Sequence, residues 1–274
     1  MRIYQVDAFT DRPFRGNPAA VCVLEQPAEP GWMQSLALEM NLSETAFVHR
    51  EGDGYQIRWF TPTAEVALCG HATLASAHVL WHELGGEGPL TFGSLSGPLG
   101  ATRQADWIEL DFPAKLESAC QPPAGLLEAL GAEPVYVGRN QFDYLVELAS
   151  EEAVRELAPD LGALARVEAR GVIVTARGQA EVDFVSRFFA PAVGVPEDPV
   201  TGSAHCCLGP FWASRLDKQR LLAYQASSRG GVVRVTVRGQ RVGLAGQAVT
   251  VMVAELGPSS RPPEPSAAPA RRLE

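Results

Sequence analysis

The chain has 274 residues, of which 46% are hydrophobic and 20% are charged, and its formal net charge is −9. A chain of this length and apolar content can form one large domain or two medium ones. The negative charge argues against nucleic acid and anionic membranes as partners, and no apolar run reaches the roughly 18 residues of a membrane helix.

The N-terminus lacks a basic and then apolar leader, and the five cysteines have no zinc-ligand spacing. We therefore expect a cytoplasmic protein with reduced thiols. The adjacent Cys206 and Cys207 are predicted to point into the core.

The first half of the sequence predicts short strands and two helices. Strands are predicted over residues 1–9, 19–25, 55–60 and 90–100, the last broken by Gly-Pro, and a hairpin over 101–112 with its turn at 104–106. The first helix is predicted over 32–40. The second begins at Gly70 and ends in the glycines of 83–88; because it is apolar on most sides, we expect it to be buried.

Glu44 lies in the segment NLSETAFV, residues 41–48. Asn41 and Ser43 favour a helix end or a turn, and the residues from Ala46 onward resemble the start of a strand. Glu44 is therefore predicted at a bend, where a side chain can be directed into a cleft. The simpler interpretation is a surface glutamate at a turn.

The second half predicts a similar alternation of elements. Strands are predicted over 136–148 with a turn at Gly-Arg-Asn, and over 171–176, 182–189, 221–226, 230–237, 241–246 and 247–255; short helices are predicted over 126–130, 150–157 and 159–164. A polar, proline-containing linker is predicted at 113–123. The chain is thus divided into lobes 1–113 and 114–257 and a flexible Pro- and Ala-rich tail, 258–274.

Two blocks of the sequence repeat each other in the same order. Arg58 to Pro62 (RWFTP) matches Arg187 to Pro191 (RFFAP), and each block is followed by a glycine that opens a helix, Gly70 or Gly202. Two similar halves that face each other form a cleft, where small molecules commonly bind. The free N–H groups of a helix start bind anions.

Several polar residues lie next to these helix starts. His71, Asp198, Thr201 and Ser203 are candidates for the site, although helix capping or packing explains each of them more simply. Cys69 suggests a racemase that uses one thiol on each side of a carbon, but the matching segment of the second half contains no thiol. The two-thiol mechanism is therefore rejected.

Glu44 remains as the best proton carrier, because one buried carboxylate with a raised pKa can take a proton from one carbon and return it to another. The sequence contains no glycine-rich nucleotide loop, metal-ligand spacing or nucleophile elbow. We therefore expect a reaction that uses neither cofactor nor metal.

The sequence resembles the PhzF-like family of phenazine-biosynthesis isomerases, a branch of the diaminopimelate-epimerase superfamily. The blocks that carry the resemblance are QVDAFTDRPFRGNPAAVCVL (5–24), MNLSETAFV (40–48), RWFTPTAEVALCGHATLASAHVL (58–80) and EDPVTGSAHCCLGPFW (197–212). Together they are specific, and they span both halves.

The resemblance implies an α+β fold of two pseudo-symmetric lobes, each a curled, mostly antiparallel sheet around a central helix. It implies that Glu44 is the acid/base residue, with His71 and Asp198 as catalytic neighbours. The positions expected to bind the substrate are Gly70, Gly202, Ser203, Thr201 and Asn17.

The founding activity of the family isomerises trans-2,3-dihydro-3-hydroxyanthranilate by moving a proton between ring carbons, and members are commonly homodimers. We therefore expect a cofactor-independent isomerase that acts on a small carboxylic acid. The alternatives are an amino-acid epimerase or racemase, and a non-catalytic ligand-binding protein on the same fold.

Overall fold

A computed structural model describes residues 1–262 of the chain. The strands are β1 (Arg2–Ala8), β2 (Asn17–Leu24), β3 (Glu44–Glu51), β4 (Gly54–Phe60), β5 (Glu65–Val66), β6 (Leu90–Gly93), β7 (Leu99–Gln104), β8 (Trp107–Pro113), β9 (Ser118–Ala119), β10 (Tyr136–Arg139), β11 (Asp143–Glu147), β12 (Gly171–Arg177), β13 (Phe184–Phe189), β14 (Arg220–Gln225), β15 (Gly231–Arg238), β16 (Arg241–Gly246) and β17 (Ala248–Glu255). The α-helices are α1 (Pro30–Met40), α2 (Gly70–His78), α3 (Leu126–Leu130), α4 (Glu151–Glu156), α5 (Leu161–Leu164) and α6 (Gly202–Leu216), and α2 continues into a π-helical turn, Val79–Glu83.

The strands form two runs with the same pairing pattern. The first run is β17-β1-β2-β3-β4-β6-β7-β8, and the second is β9-β10-β11-β12-β13-β14-β15-β16. The third and fifth pairs of strands are parallel in both runs, and the other pairs are antiparallel. The predicted pseudo-symmetric α+β architecture is therefore confirmed.

One strand crosses from the second half of the chain to the first run. β17 follows β16 in the chain but pairs with β1, whereas β9 pairs with β10 of its own half. β8 and β16 also pair with each other, which joins the runs. Hydrogen bonds therefore cross the predicted boundary at residue 113, and the division into 1–113 and 114–257 stays a prediction.

Helices α2 and α6 occupy the centres of the two curled sheets. Every residue of α2 from His71 to His78 is buried, and alanines at 72, 75 and 77 let the surrounding strands approach closely. α6 buries most of its length against β14, β15 and β16. The prediction of a buried helix that is apolar all round is confirmed.

The first sheet is covered on both faces. Ala19 and Val21 of β2 point inward to the core around α2, while Ala20 and Cys22 point outward to the face covered by α1. This alternation is the two-residue period of a strand, with apolar residues on both sides because both sides are buried. The sheet edge at which β2 and β3 begin is thereby held firmly.

Three local predictions are refined by the structure. Glu44 is the first residue of β3 and pairs with Ala19, so the strand begins two residues before the predicted position; the ladder with β2 overrides the turn preference of Ser43. The predicted linker contains the two-residue strand β9. Residues 258–260 form a short 3₁₀ turn whose Ser260 carbonyl accepts a hydrogen bond from Trp32 (3.0 Å).

Other predictions agree with the structure. The hairpin turn lies between β7 and β8, the second helix ends before Gly85, and Cys206 and Cys207 are buried. The remainder of the predicted tail, residues 263–274, lies outside the described residues. Within residues 1–262, no helix combines the length and hydropathy needed to cross a bilayer.

Candidate active site

The N-termini of α2 and α6 meet where the two lobes touch. A Cβ atom placed on Gly70 would lie 3.7 Å from the Cα of Gly202, and one placed on Gly202 would lie 3.7 Å from the Cα of Gly70. Two helix starts at this distance present their free backbone N–H groups to one region, which favours an anion such as a carboxylate. The sequence repeat therefore predicted a true juxtaposition.

A repeated ion pair holds the loops that lead to these helices. Arg58 pairs with Glu65 through two hydrogen bonds of 2.7 Å, and Arg187 pairs with Glu197 through bonds of 2.8 and 3.0 Å. Each glutamate lies five residues before the helix glycine. Bidentate pairing fixes both distance and orientation, so the two loops enter their helices in the same way.

Glu44, Cys69 and His71 form a cluster on the side of α2. The Oε2 atom of Glu44 lies 3.2 Å from the Nε2 atom of His71, and the Sγ atom of Cys69 lies 3.5 Å from the Nδ1 atom. The side chains of Glu44 and His71 are only 19% and 7% exposed. The strand start of β3 thus directs a carboxylate to the start of α2.

Asn17 connects this cluster to Asp198. Its Nδ2 donates to Asp198 Oδ1 (2.8 Å) and to the carbonyl oxygen of Val200 (2.9 Å), and it lies 3.3 Å from His71 Nδ1. Both oxygens can only accept, which fixes the orientation of the amide. The two oxygens take both hydrogens of the amide, and His71 Nδ1 lies between this group and the Cys69 thiol.

Asn17 is set in place by the residue before it. Gly16 has φ of +63°, and a Cβ there would lie 2.1 Å from the carbonyl oxygen of Ala8. Only glycine satisfies both conditions. The backbone at Gly16 therefore places Asn17, one of the positions expected to bind the substrate, between the two lobes.

Asp198 is held by residues of its own lobe. Thr201 Oγ1 donates to Asp198 Oδ2 (2.5 Å), and Gln225 Nε2 donates to the backbone carbonyl of Asp198 (2.7 Å). Gln225 Oε1 accepts from the backbone N–H of Thr201 (2.9 Å). In the structure, Thr201 therefore orients Asp198; its predicted contact with substrate stays a prediction.

Burial determines the protonation states of the cluster. It raises the pKa of Glu44 to about 7, aided by the negative charge of Asp198 and opposed by a hydrogen bond with Cys69. It raises the pKa of Asp198 to about 6, against hydrogen bonds from Thr201 and Asn17 and the charge of Arg170. It lowers the pKa of His71 to about 3, so this ring is neutral near pH 7. Near neutral pH, Glu44 is thus able both to bind and to release a proton.

Ser203, the second residue of α6, is held by a different group. Arg170 Nη2 donates to Ser203 Oγ at 3.0 Å, and the guanidinium group also makes a bidentate pair with the buried Asp143. Because Ser203 Oγ accepts this bond, its own hydrogen remains available to donate. Ser203 is therefore arranged as a hydrogen-bond donor beside the paired helix starts.

The eight predicted site residues all lie within this connected region, and their roles stay predictions. Sequence reasoning missed Arg170, Asp143 and Gln225, and it set Cys69 aside. Arg170 occupies the position before β12 that Ser43 occupies before β3, and because the two residue types differ, the repeat gives no signal for this arginine.

Two buried polar atoms at the centre have no hydrogen-bond partner within the described residues. They are His71 Nε2, which approaches Glu44 without hydrogen-bond alignment, and Asn17 Oδ1. Buried polar atoms are almost always paired. Two such atoms in one site indicate a place for a polar ligand.

Comparison with known proteins agrees with this geometry. A family model described as phenazine biosynthesis-like protein matches residues 6–254. The chain belongs to this family.

Relatives of the chain cover nearly its whole length. An uncharacterized isomerase of Halalkalibacterium halodurans is 56% identical over 93% of the chain and 97% of the relative. A crystal structure of a PhzF-family protein from Enterococcus faecalis is 44% identical, with a TM-score of 0.90 over 93% of this chain and 99% of that one. A hydroxyproline epimerase from Agrobacterium vitis, with bound trans-4-OH-L-proline, shares the fold alone: it is 12% identical, with a TM-score of 0.64 over 93% of this chain and 91% of that one. The fold is therefore that of the PhzF proteins and the wider epimerase group.

Proposed function

We propose that the protein is a cofactor-independent isomerase in which Glu44 moves a proton within a small carboxylic acid. The observation that carries the proposal is a buried carboxyl with a pKa of about 7 beside two facing helix starts. A general acid/base works best when its pKa is close to the working pH. The helix starts provide the complementary site for the substrate carboxylate.

The proton transfer takes two steps. The Glu44 carboxylate removes a proton from one carbon, and the electrons of the broken C–H bond move into the conjugated system of the substrate. The proton on Glu44 then forms a new C–H bond at a second carbon, which restores the carboxylate. One residue serves as base and then as acid, so no other proton donor is consumed.

The neighbouring groups have separate roles in this proposal. In this proposal the neutral ring of His71 carries its proton on Nε2, beside Glu44, and Asp198 accepts a hydrogen bond from a substrate hydroxyl or amino group. The N–H groups after Gly70 and Gly202, together with the Ser203 hydroxyl, bind the carboxylate. Asn17 fixes the positions of His71 and Asp198 relative to each other.

We propose a substrate of the trans-2,3-dihydro-3-hydroxyanthranilate type, a ring acid in which a proton moves between carbons. The family resemblance supports this choice. The opposing helix starts also favour it over a two-thiol epimerase, since Thr201 stands where a second thiol would face Cys69. An epimerase that uses other bases remains the second candidate, and it would invert one stereocentre.

The test combines a substrate screen with isotope exchange. A panel of small carboxylic acids is first screened by thermal shift, because a ligand that prefers the folded state raises the melting temperature. Each hit, and the ring acid above, is then incubated with enzyme in D₂O and examined by NMR. Isomerisation with transfer between carbons supports the proposal, whereas inversion at one carbon supports the epimerase.

Glu44→Gln is the decisive variant because it keeps the shape of the side chain and removes its acid/base function. We expect turnover to fall by about 10²–10⁴-fold, while the thermal shift on ligand binding persists. Glu25→Gln, at an exposed position, is the matched control and should keep full activity. Wild-type turnover by Glu44→Gln would remove Glu44 from the mechanism, and a screen without any bound acid would favour a non-catalytic protein for a different ligand.

We also propose that the protein is a homodimer. The family resemblance supports this, and so does β17: it pairs only with β1 within the described residues and exposes Met252 and Val253 by 46% and 48%. An edge strand with exposed apolar side chains readily pairs with another chain. Sedimentation equilibrium measures the mass; a monomer at micromolar concentration contradicts the proposal.

A further inference from the structure

Glu44, Cys69 and His71 bring together three different metal-ligating groups. A carboxylate oxygen, the thiol sulfur and a ring nitrogen lie within 4.8 Å of one another. Within residues 1–262, this is the one group of three or more His, Cys, Asp or Glu side chains that meets such a limit. Glu44 comes from β3, and the other two residues come from the start of α2, so the grouping depends on the fold.

The separations suit a small tetrahedral ion. Bonds of about 2.0–2.3 Å to zinc place neighbouring ligand atoms roughly 3.3–3.8 Å apart. Cys69 Sγ lies 3.5 Å from His71 Nδ1, and Glu44 Oε2 lies 3.2 Å from His71 Nε2. A single ion binds only one ring nitrogen, so the side chain on the other side of the ring must turn toward that nitrogen from within 4.8 Å. Water would then take the fourth position.

The surroundings of the cluster also favour a polar occupant. His71 Nε2 and Asn17 Oδ1 are buried and lack hydrogen-bond partners within the described part of the chain, and both residues are at most 6% exposed. Asp198 adds a carboxylate to the same network through Asn17. The helix starts oppose a positive charge, and the carboxylates of Glu44 and Asp198 offset this effect once they are ionised.

We propose that Glu44, Cys69 and His71 form an inhibitory binding site for a thiophilic divalent cation such as Zn²⁺. Thiolate, imidazole and carboxylate together are a donor set that zinc and cobalt favour over magnesium or calcium. Binding forms a metal–sulfur bond and releases the thiol proton of Cys69 to solvent. The ion occupies the carboxylate that the proposed isomerisation needs, so it competes with substrate.

Cobalt(II) provides a direct probe, because tetrahedral Co²⁺ bound to a thiolate has visible d–d bands and a near-ultraviolet thiolate-to-metal band. We expect both bands when the full chain is titrated with Co²⁺, and their loss when Zn²⁺ is added. Cys69→Ser should remove the thiolate band and weaken Co²⁺ binding by about tenfold or more. Glu44→Gln should keep the thiolate band but weaken binding.

Cys120→Ser is the matched control, because Cys120 is a more exposed thiol outside the cluster. It should keep both bands, and circular dichroism should confirm that every variant is folded. The proposal is overturned if the wild type gives no thiolate band, if Cys69→Ser keeps it, or if Cys120→Ser loses it. The readout needs no turnover, so this result is independent of whether the isomerase proposal succeeds.

Discussion

The two helix starts at the lobe interface have the same backbone design but different chemistry. The first presents Cys69, Gly70 and His71, and the second presents Thr201, Gly202 and Ser203. Both are entered through an Arg–Glu pair, and the two glycines approach each other. Besides these residues, the two halves differ in the side chain at the start of the neighbouring strand.

The first residue of the neighbouring strand differs between the two halves. Glu44 opens the parallel ladder of β3 by pairing with Ala19, whereas Gly171 opens the corresponding ladder of β12 by pairing with Asp143. A Cβ on Gly171 would lie 2.4 Å from the Phe188 ring, so a glutamate does not fit there. The duplicated scaffold therefore has two helix starts but only one such carboxylate. In the proposed mechanism, a single proton carrier suits transfer between two carbons of one substrate.

The variant Asp198→Asn should have the largest effect. It removes the negative charge through which the second lobe acts on Glu44. We expect kcat/KM on the ring acid to fall by about 10²-fold. Because the negative charge of Asp198 raises the pKa of Glu44, the acidic limb of the pH–rate profile should move to lower pH. Asp11→Asn, at an exposed site, should leave the profile unchanged. An unmoved limb in Asp198→Asn would show that the two lobes are electrostatically independent.

A second test concerns stability and uses Glu44 alone. Its pKa rises from 4.5 to about 7 on folding, so the folded state holds the proton more tightly. The stabilisation is fully present below about pH 4.5 and is lost as the pH rises through about 7. Between about pH 5 and about pH 8, the free energy of unfolding should fall by up to about 3 kcal/mol more in the wild type than in Glu44→Gln. Urea unfolding at both pH values measures this difference, and equal falls would contradict the burial argument.

A smaller effect on activity is expected when Arg170, which donates a hydrogen bond to Ser203, is replaced. Arg170→Gln should raise KM about tenfold with little change in kcat, because Arg170 positions Ser203 and does not touch the reacting carbons. Ser203→Ala should have a similar effect. If both act through one hydrogen bond, the double variant should be no worse than either single variant. Fully additive losses in this double-mutant cycle would mean that Arg170 acts separately.

The smallest expected effect is a difference in the free energy of unfolding between variants of the two Arg–Glu pairs. Arg187 also donates to the carbonyl oxygens of Val154 and Leu157, whereas Arg58 has its side-chain hydrogen bonds with Glu65. Arg187→Met should therefore lower the free energy of unfolding by about 1–2 kcal/mol more than Arg58→Met. Denaturant unfolding compares them directly, and equal losses would show that the pairs are energetically interchangeable.

The sequence predicts the repeat because its signals are local. The Arg-x-Phe blocks, the helix glycines and the Glu44 segment each occupy a few consecutive residues, and they locate both helix starts. Contacts between distant segments have no such signal. The link from Asn17 to Asp198 spans 181 residues, and the contact from Arg170 to Ser203 spans 33. The sequence shows that no thiol lies opposite Cys69 in the second half. It does not show that Cys69 lies against Glu44 and His71 in its own lobe.

Strand β9 illustrates a different limit. It has two residues, Ser118 and Ala119, and both are exposed, so neither periodicity nor hydrophobicity marks it. Its existence depends on the exposed edge of β10. The sequence therefore predicts only a linker where the structure has a short strand paired with β10.

The crossing of β17 has a mechanical consequence. The second half of the chain supplies the edge strand of the first run, so a cut at residue 113 would separate β1 from one of its two partner strands. The β8–β16 ladder also joins the two runs, so wide separation of the lobes requires breaking that ladder. Because the Glu44 side chain is already 19% exposed, we expect a substrate to reach it through small adjustments at the mouth of the cleft.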